Sequence, residues 1–432
     1  MQALAATLHA AALILLGEAA PEGGGQELLQ RLGYLGDDPA RARHRAALLR
    51  AAAGFHRIFT LPAEDAPGLV ALGAEVDPGS VGAPDLPLGS VSGTGLTFRH
   101  AFEACVGEGV EYLAQFATPH DPIEYLTADE ALTGAPPRLT ALWHDLQPFR
   151  RNEAARTAWT IAAALADGGA VRLPADLCFR RAPDARDIDP PWPLSTGCGA
   201  GTDHLHATLH GLLELIERDA VSLWWRGGRR GRMLPPGLGA AVLAQLRGGR
   251  SGRQTWLLDV TSDIGVPVVV AASCGSDGYS LCCGHAAGPT LGAAADRAMR
   301  EMTQMELAAR LAAIKRSARG EAALNETDRQ HLRRFTTIDV ATTPALQPLA
   351  PPSPPRDLPT EDPLATLAEL RRRLAAAGLA PCALNLTRAA FDIPVTRVVC
   401  PGLEQGMTSP PGSRLLQSAK LAGIDPIAIA PL

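Results

Sequence analysis

A chain of 432 residues with 46% hydrophobic content can bury a sizeable core and calls for two or more structural lobes. Its 20% charged residues and formal net charge of −5 are those of an ordinary soluble globular protein and give no reason to expect nucleic acid. The eight cysteines include no CxxC pair, which argues against a structural zinc site; reduced thiols in the cytoplasm are expected.

Residues 1–20 begin with an apolar run. No Lys or Arg precedes it, so it makes a poor secretory signal, and it is short for a membrane span. A packed helix is expected there. Residues 21–80 read as helices over 26–32 and 39–53 and a strand over 56–61. Residues 1–80 are taken as a helical or mixed N-terminal region of open role, and 81–432 as the main domain. The Arg-rich run RARHRAALLR (41–50) reads as a solvated helix face. The alanine-rich stretch 154–167 predicts a helix stopped by Gly168 and Gly169, followed by a strand over 171–179 and a proline-rich acidic loop over 184–192. RGGRRGR (226–232) is a basic, glycine-rich loop, open to phosphate, to an acidic peptide or to solvent. A helix over 240–246 precedes strands over 255–260 and 267–273, whose valine content suits a buried sheet. Residues 342–363 form a proline-dense loop, a helix covers 364–377, and strands cover 382–386 and 395–399.

The sequence GTDHLHATLHGLLELIERDAVSLWW (201–225) organises the rest. It has an apolar helical face with Glu214 and Glu217 one turn apart. Two other stretches share its spacing, SGTGLTFRHAFEACVGEGVEYLAQF (92–116) and GPTLGAAADRAMREMTQMEL (288–307). Gly95, Gly201 and Gly288 each precede a glutamate by 13 residues: Glu108, Glu214 and Glu301. An oxygen-bearing side chain follows three positions later, in Glu111, Glu217 and Gln304, and Ala101, Ala207 and Ala294 share one offset. Internal repeats whose helices bring acidic faces together are therefore expected.

Carboxylates gathered in one place repel each other unless cations neutralise them. Hard oxygen ligands suit Mg²⁺, which is held by a few carboxylates together with substrate phosphates. Arg218, Arg297 and Arg300 lie on the same helices and are suited to phosphate oxygens. The glycines would let backbone amides and helix N-termini approach an anion. Since no GxxxxGK[ST] run occurs, the nucleotide–Mg²⁺ site expected here is not of the Walker type.

GLLELIERDAVSLWW (211–225) resembles the signature of the YcaO family. SGTGLT (92–97) with GEGVEY (107–112), LPADLCF (173–179), STGCGAGT (195–202), LLDVTSDIGVPVV (257–269), DRAMREMTQ (296–304) and DIPVTRVVCPGLE (392–404) resemble further family stretches, so the likeness covers roughly residues 85–432. It implies an α/β (α+β) fold with internal repeats and mixed sheets, whose flanking helices converge on an acidic nucleotide site. It also implies activation of a backbone amide of a ribosomally made precursor peptide by ATP-dependent O-phosphorylation, giving azolines from Cys, Ser or Thr. ATP and Mg²⁺ are the implied cofactors. Carried over position by position, the metal ligands are Glu108, Glu111, Glu214, Glu217 and Glu301. The nucleotide contacts are these five with Ser92, His206, Arg218, Arg297 and Gln304; the resemblance assigns no residue to acid–base catalysis.

Some positions depart from the family pattern. Thr94 stands where Lys is frequent, Tyr112 where Arg is common, and His206 where some members carry another acid. The terminus DPIAIAPL has only Pro426 and Pro431 in place of a Pro-x-Pro-x-Pro ending. Two alternatives follow: thioamide formation with a sulfur-delivery partner, or a non-catalytic scaffold subunit. No peptide-presenting domain is visible, so a separate E1-like protein that binds the leader peptide is expected, together with a homodimer. No nucleic-acid or membrane partner is expected.

Overall fold

The computed structural model describes residues 2–36, 38–83, 86–250, 252–349 and 357–429. The named elements run α1 (Gln2–Leu15), α2 (Gly23–Leu32), α3 (Pro39–Ala53), β1 (Arg57–Leu61), β2 (Val70–Val76), β3 (Gly89–Gly95), α4 (Phe98–Ala114), β4 (Ile123–Leu126), α5 (Ala128–Leu132), α6 (Pro137–Asp145), β5 (Thr157–Ala164), β6 (Ala170–Pro174), β7 (Cys198–Ala200) and α7 (His204–Trp225). There follow β8 (Arg232–Met233), α8 (Ala240–Arg247), β9 (Gln254–Asp259), β10 (Val268–Cys274), β11 (Cys282–Ala287), α9 (Leu291–Arg319), α10 (Glu326–Thr337), α11 (Pro363–Ala376), β12 (Cys382–Asn385), β13 (Val395–Val399) and α12 (Ser413–Ala422). This is a mixed α/β architecture. The proline-dense run at 350–356 and the terminal Pro431 lie outside the described residues.

The chain divides into two compact units. Unit 1 holds residues 1–61, 72–215 and 378–402; unit 2 holds 62–71, 216–377 and 403–432.

In unit 1, one sheet has the order β1-β2-β3 and the other the order β4-β5-β12-β13-β7, with β6 also paired to β5. The pairings of β5 and β13 are antiparallel, and Val395 of β13 faces Ala200 of β7. α1, α2 and α3 bury Leu8, Ala11, Leu29 and Leu49 among themselves. Their outer members reach α4. Arg45 pairs with Glu103 at 3.3 Å, and the Arg31 guanidinium lies 4.1 Å over the Phe98 ring. Residues 1–61 thus brace the first acidic helix.

The helix predicted at 154–167 is instead strand β5. Alanine favours helix in isolation, but Thr157–Thr160 is buried throughout, Ile161–Ala163 alternates with Ala162 inside, and the stretch pairs on both edges. Sheet pairing and burial override propensity at such a stretch. The strand expected over 171–179 stops at Pro174, where a short turn of 3₁₀ helix follows.

In unit 2 an antiparallel sheet has the order β11-β10-β9-β8, and every residue of β10 is buried. α9 covers this sheet with Ala294, Ala298 and Met302. A buried ion cluster joins the layers: Glu306 accepts from Arg247 at 2.5 and 2.8 Å, from Arg253 at 3.0 Å and from the Ser273 hydroxyl at 2.5 Å.

Candidate active site

The three-fold spacing is a repeated strand–helix unit: β3–α4, β7–α7 and β11–α9. Two residues after each repeat glycine stands an oxygen-bearing side chain that caps the helix. Thr97 accepts from the His100 amide at 3.2 Å, Asp203 from His206 at 2.8 Å, and Thr290 from Ala293 at 3.1 Å. The glycines mark close contact between strand end and first helical turn. A Cβ on Gly95 would stand 2.8 Å from the Ala101 amide nitrogen, one on Gly201 2.5 Å from that of Ala207, and one on Gly288 2.8 Å from that of Ala294. This explains the shared glycine–alanine offset. At each helix N-terminus one first-turn amide is taken by the capping side chain.

In unit 1, Glu108 and Glu111 lie on α4 and Glu214 on α7. The Ala200 amide donates to Glu111 Oε1 at 2.6 Å, and the Gly197 amide to Glu214 Oε2 at 3.0 Å. Burial pushes the Glu111 carboxyl up to about 8; nearby Glu108 and Glu214 push the same way, while the Ala200 amide opposes them. A carboxylate perturbed by burial and by like charge is a candidate functional-site residue. His210 bonds the Ala200 carbonyl through Nδ1 at 2.8 Å. His206 bonds Asp203 at 2.8 Å, two helical turns before Glu214, so its ring is engaged by the capping residue. Ser92 and Thr94 occupy the face of β3 opposite Gly93 and Gly95, which meet α4. Tyr112 packs edge-on against Phe116, and its ring carries the Arg180 guanidinium at 5.3 Å.

In unit 2, β11 holds Glu217 of α7 and Glu301 of α9. The Ala287 amide donates to Glu217 Oε2 at 3.1 Å and the His285 amide to Glu301 Oε2 at 2.8 Å. The His285 ring adds a further bond, Nδ1 to Glu217 Oε1 at 2.8 Å. Burial would raise the Glu217 pKa, but His285, Arg218 and Arg297 outweigh it and hold the carboxyl below its usual value. Burial likewise opposes a charged His285, yet Glu301 and Glu217 raise its pKa. Arg297 is exposed and Gln304 half-buried on α9. His285 was not among the residues singled out from sequence. It sits in a strand, outside the glycine–glutamate spacing, and no local pattern marks it.

Other charges of unit 2 are structural. Asp219 is 0% exposed and takes two bonds from Arg414, each 2.9 Å, and one from the Glu404 amide. Glu404, at the end of the PGLE stretch, accepts from the Gly412 and Leu415 amides at 2.9 Å and so anchors the start of α12. The basic loop 226–232 is largely engaged internally. Arg226 donates to the carbonyls of Met407, Ser409 and Pro426, Arg230 donates to that of Gln347, and Arg229 pairs with Asp263.

The donors fit a nucleotide with divalent cations: the carboxylates of unit 1 are oxygen donors of the kind that suit Mg²⁺, and the group in unit 2 adds an imidazole nitrogen. Each unit presents carboxylates fixed by main-chain amides. Among the described residues, ligand atoms of Glu217, His285 and Glu301 lie within 4.8 Å of one another. Repeated strand–helix units carrying such carboxylates, without a phosphate loop, define the class of protein. Within that class the chain belongs to the YcaO family: residues 92–404 match the family described as YcaO cyclodehydratase, ATP- and Mg²⁺-binding. Among solved structures, a heterocyclase in complex with substrate and cofactor superposes with a TM-score of 0.67 at 20% identity, over 93% of this chain and 57% of that one. YcaO from Methanopyrus kandleri, bound with AMPPCP and Mg²⁺, gives 0.59 at 21% identity over 87% of this chain and 90% of that one. The E. coli microcin synthetase McbBCD complex gives 0.58 at 15% identity over 78% and 85%. These likenesses establish the fold. An uncharacterized protein in the tfuA 3′ region of Rhizobium leguminosarum bv. trifolii is 39% identical over 83 residues, 18% of this chain and 20% of that protein. The chain thus spans little more than half of the first solved relative and a fifth of the curated one. ATP and Mg²⁺ are the cofactors that family membership brings.

Proposed function

We propose that the chain activates a backbone amide of a ribosomally made precursor peptide by O-phosphorylation and closes Cys, Ser or Thr side chains onto it as azolines. The observation that carries this reading is the pair of amide-held acid clusters at the family's motif positions. ATP with Mg²⁺ supplies the phosphoryl group that turns the amide oxygen into a leaving group. Glu108, Glu111 and Glu214 would hold cations in unit 1, and Glu217 and Glu301 in unit 2. Glu111, Glu214, Glu217 and Glu301 are already oriented by main-chain amides, which lowers the cost of arranging them around a cation. Arg218, Arg297 and Gln304 are assigned to nucleotide oxygens, with Ser92 and His206 as further contacts; no residue is assigned to proton transfer.

A separate E1-like protein would present the leader peptide, a reading encouraged by the structural relative that is itself a multi-subunit complex. A homodimer is part of the same proposal. A cytoplasmic setting accords with eight free, buried cysteines, and no helix among the described residues is long and apolar enough to cross a membrane.

The test is mass spectrometry of a candidate precursor peptide incubated with the chain, its partner, ATP and Mg²⁺. Loss of one water per ring with one phosphate released supports the reading. Exchange of oxygen for sulfur assigns thioamide chemistry instead. Nucleotide binding without turnover in the complete complex assigns a scaffold.

A further inference from the structure

His285 Nδ1 lies 2.8 Å from Glu217 Oε1 and 3.6 Å from Glu301 Oε2. A cation bonded to each ligand at about 2.1 Å sets neighbouring ligand atoms roughly 3.0 Å apart in octahedral geometry and about 3.4 Å apart in tetrahedral geometry. The His285 nitrogen therefore already stands near ligand spacing from an oxygen of each glutamate, and ligand atoms of all three residues lie within 4.8 Å of one another. Both carboxylates are held by main-chain amides, Glu217 through Oε2 by Ala287, which leaves Oε1 facing the ring, and Glu301 through Oε2 by His285. The imidazole is held by its bond to Glu217 Oε1, on a residue whose backbone pairs with Val270 inside the β10–β11 ladder. Its side chain is 12% exposed, so bulk water competes little for it.

The donor set differs in kind from the all-carboxylate group of unit 1. Oxygen-only ligands suit Mg²⁺, whereas imidazole nitrogen adds affinity for first-row transition cations and little for Mg²⁺. We infer that the Glu217–His285–Glu301 group is a mixed nitrogen–oxygen site in which His285 ligates a divalent transition cation, Mn²⁺ or a later member of the series, in preference to Mg²⁺. The inference rests on the proposed reading that Glu217 and Glu301 hold a cation. It assigns His285 the role of selecting the metal at that one position.

The test uses the full chain, metal-free, with a non-hydrolysable ATP analogue and either Mn²⁺ or Mg²⁺. Calorimetry is expected to show Mn²⁺ binding at least about tenfold tighter than Mg²⁺, and His285→Gln is expected to bring the two within about threefold. Pulsed electron paramagnetic resonance of the Mn²⁺-loaded wild type should show hyperfine coupling to a directly bound nitrogen that shifts on isotope labelling of histidine. That measurement needs no variant, so a folding defect in His285→Gln cannot obscure the answer. If Mn²⁺ binds and Glu217→Gln weakens it, but no nitrogen coupling appears, His285 only orients Glu217 by hydrogen bonding, and the inference is overturned while the nucleotide–metal reading stands. If Glu217→Gln changes neither metal nor nucleotide binding, both fall.

Discussion

The two acid clusters use one structural grammar with opposite charge balance. In each, a strand that leads into a helix turns its amides on helix carboxylates: Gly197 and Ala200 in unit 1, His285 and Ala287 in unit 2. In unit 1 the charges acting on Glu111 are other carboxylates, Glu108 and Glu214, and burial drives its pKa to about 8. In unit 2 the neighbours of Glu217 are His285, Arg218 and Arg297, which hold its pKa down despite burial. The charges that act on Glu111 in unit 1 are all negative, whereas Arg218 and Arg297 place fixed positive charge near Glu217 in unit 2.

The comparison first needs controls that break each unit without touching its acids. Glu306→Ala leaves Arg247 and Arg253 buried without their shared carboxylate in unit 2. In unit 1, Asp176→Ala leaves buried Arg181 with Asp187 as its one remaining carboxylate among the described ion pairs and frees the Asp187 and Ile188 amides that Asp176 accepts from. Each is expected to cost about 3–5 kcal/mol in denaturant unfolding. A loss below 1 kcal/mol would mean that the ion clusters do not hold their layers together.

Removing an acid should act on chemistry more than on folding. Glu111→Gln, Glu214→Gln and Glu217→Gln are each expected to lower ATP turnover about 100-fold or more, with melting temperatures close to wild type. Retained turnover in the unit 1 variants alone would place the working cations in unit 2.

Packing of the repeat is tested at Gly93, where a Cβ would come within 2.1 Å of the Cys105 amide nitrogen. Gly93→Ala should destabilise by about 1–3 kcal/mol, and Gly284→Ala, with 2.1 Å to the Met302 amide nitrogen, by a similar amount. An innocuous Gly93→Ala would remove the packing account of the repeat.

The pH responses of the two clusters should oppose each other. Native Glu111 keeps its proton over a window, from its ordinary value of 4.5 to about 8, in which the unfolded chain has lost it. Its contribution to stability is therefore present at low pH and lost as pH rises through that window. Glu217 has the opposite sign: its pKa is lowered in the native state, so its contribution is present at neutral pH and lost on acidification. Metal-free melts should show Glu111→Gln flattening the alkaline fall and Glu217→Gln flattening the acid fall. Stabilisation by Mg²⁺ in unit 1 should grow with pH, because the cation displaces a proton. The smallest effect is expected at Gly107, a helical glycine with open space at its Cβ position. Gly107→Ala should stabilise by about 0.5–1 kcal/mol, in contrast to Gly93 on the strand facing the same helix.

Much of the site was legible because it is written locally. A glycine, a capping oxygen, an alanine and an acid at fixed offsets fold into the same strand–helix unit wherever they occur, so Glu108, Glu214 and Glu301 could be aligned by counting. β5 was misread because its alanines carry a helical preference while its pairing partners, β4, β6 and β12, lie elsewhere in the chain. Spacing shows that each repeat glycine is small, but not that the first helical turn packs against it.

The sequence by itself determined the family, the mixed α/β class, the repeated glycine-led helices and which acids they carry, since each repeat depends on residues within about two dozen positions of one another. Tertiary structure alone decided the rest. It placed His285 against Glu217, 68 positions away, turned Glu404 into an anchor for α12 and engaged Arg226 with carbonyls some 180–200 positions further on. It also set the two carboxylate groups in opposite electrostatic surroundings. Burial and charge at a point in space sum over every segment that reaches it, and spacing along the chain carries no record of that sum.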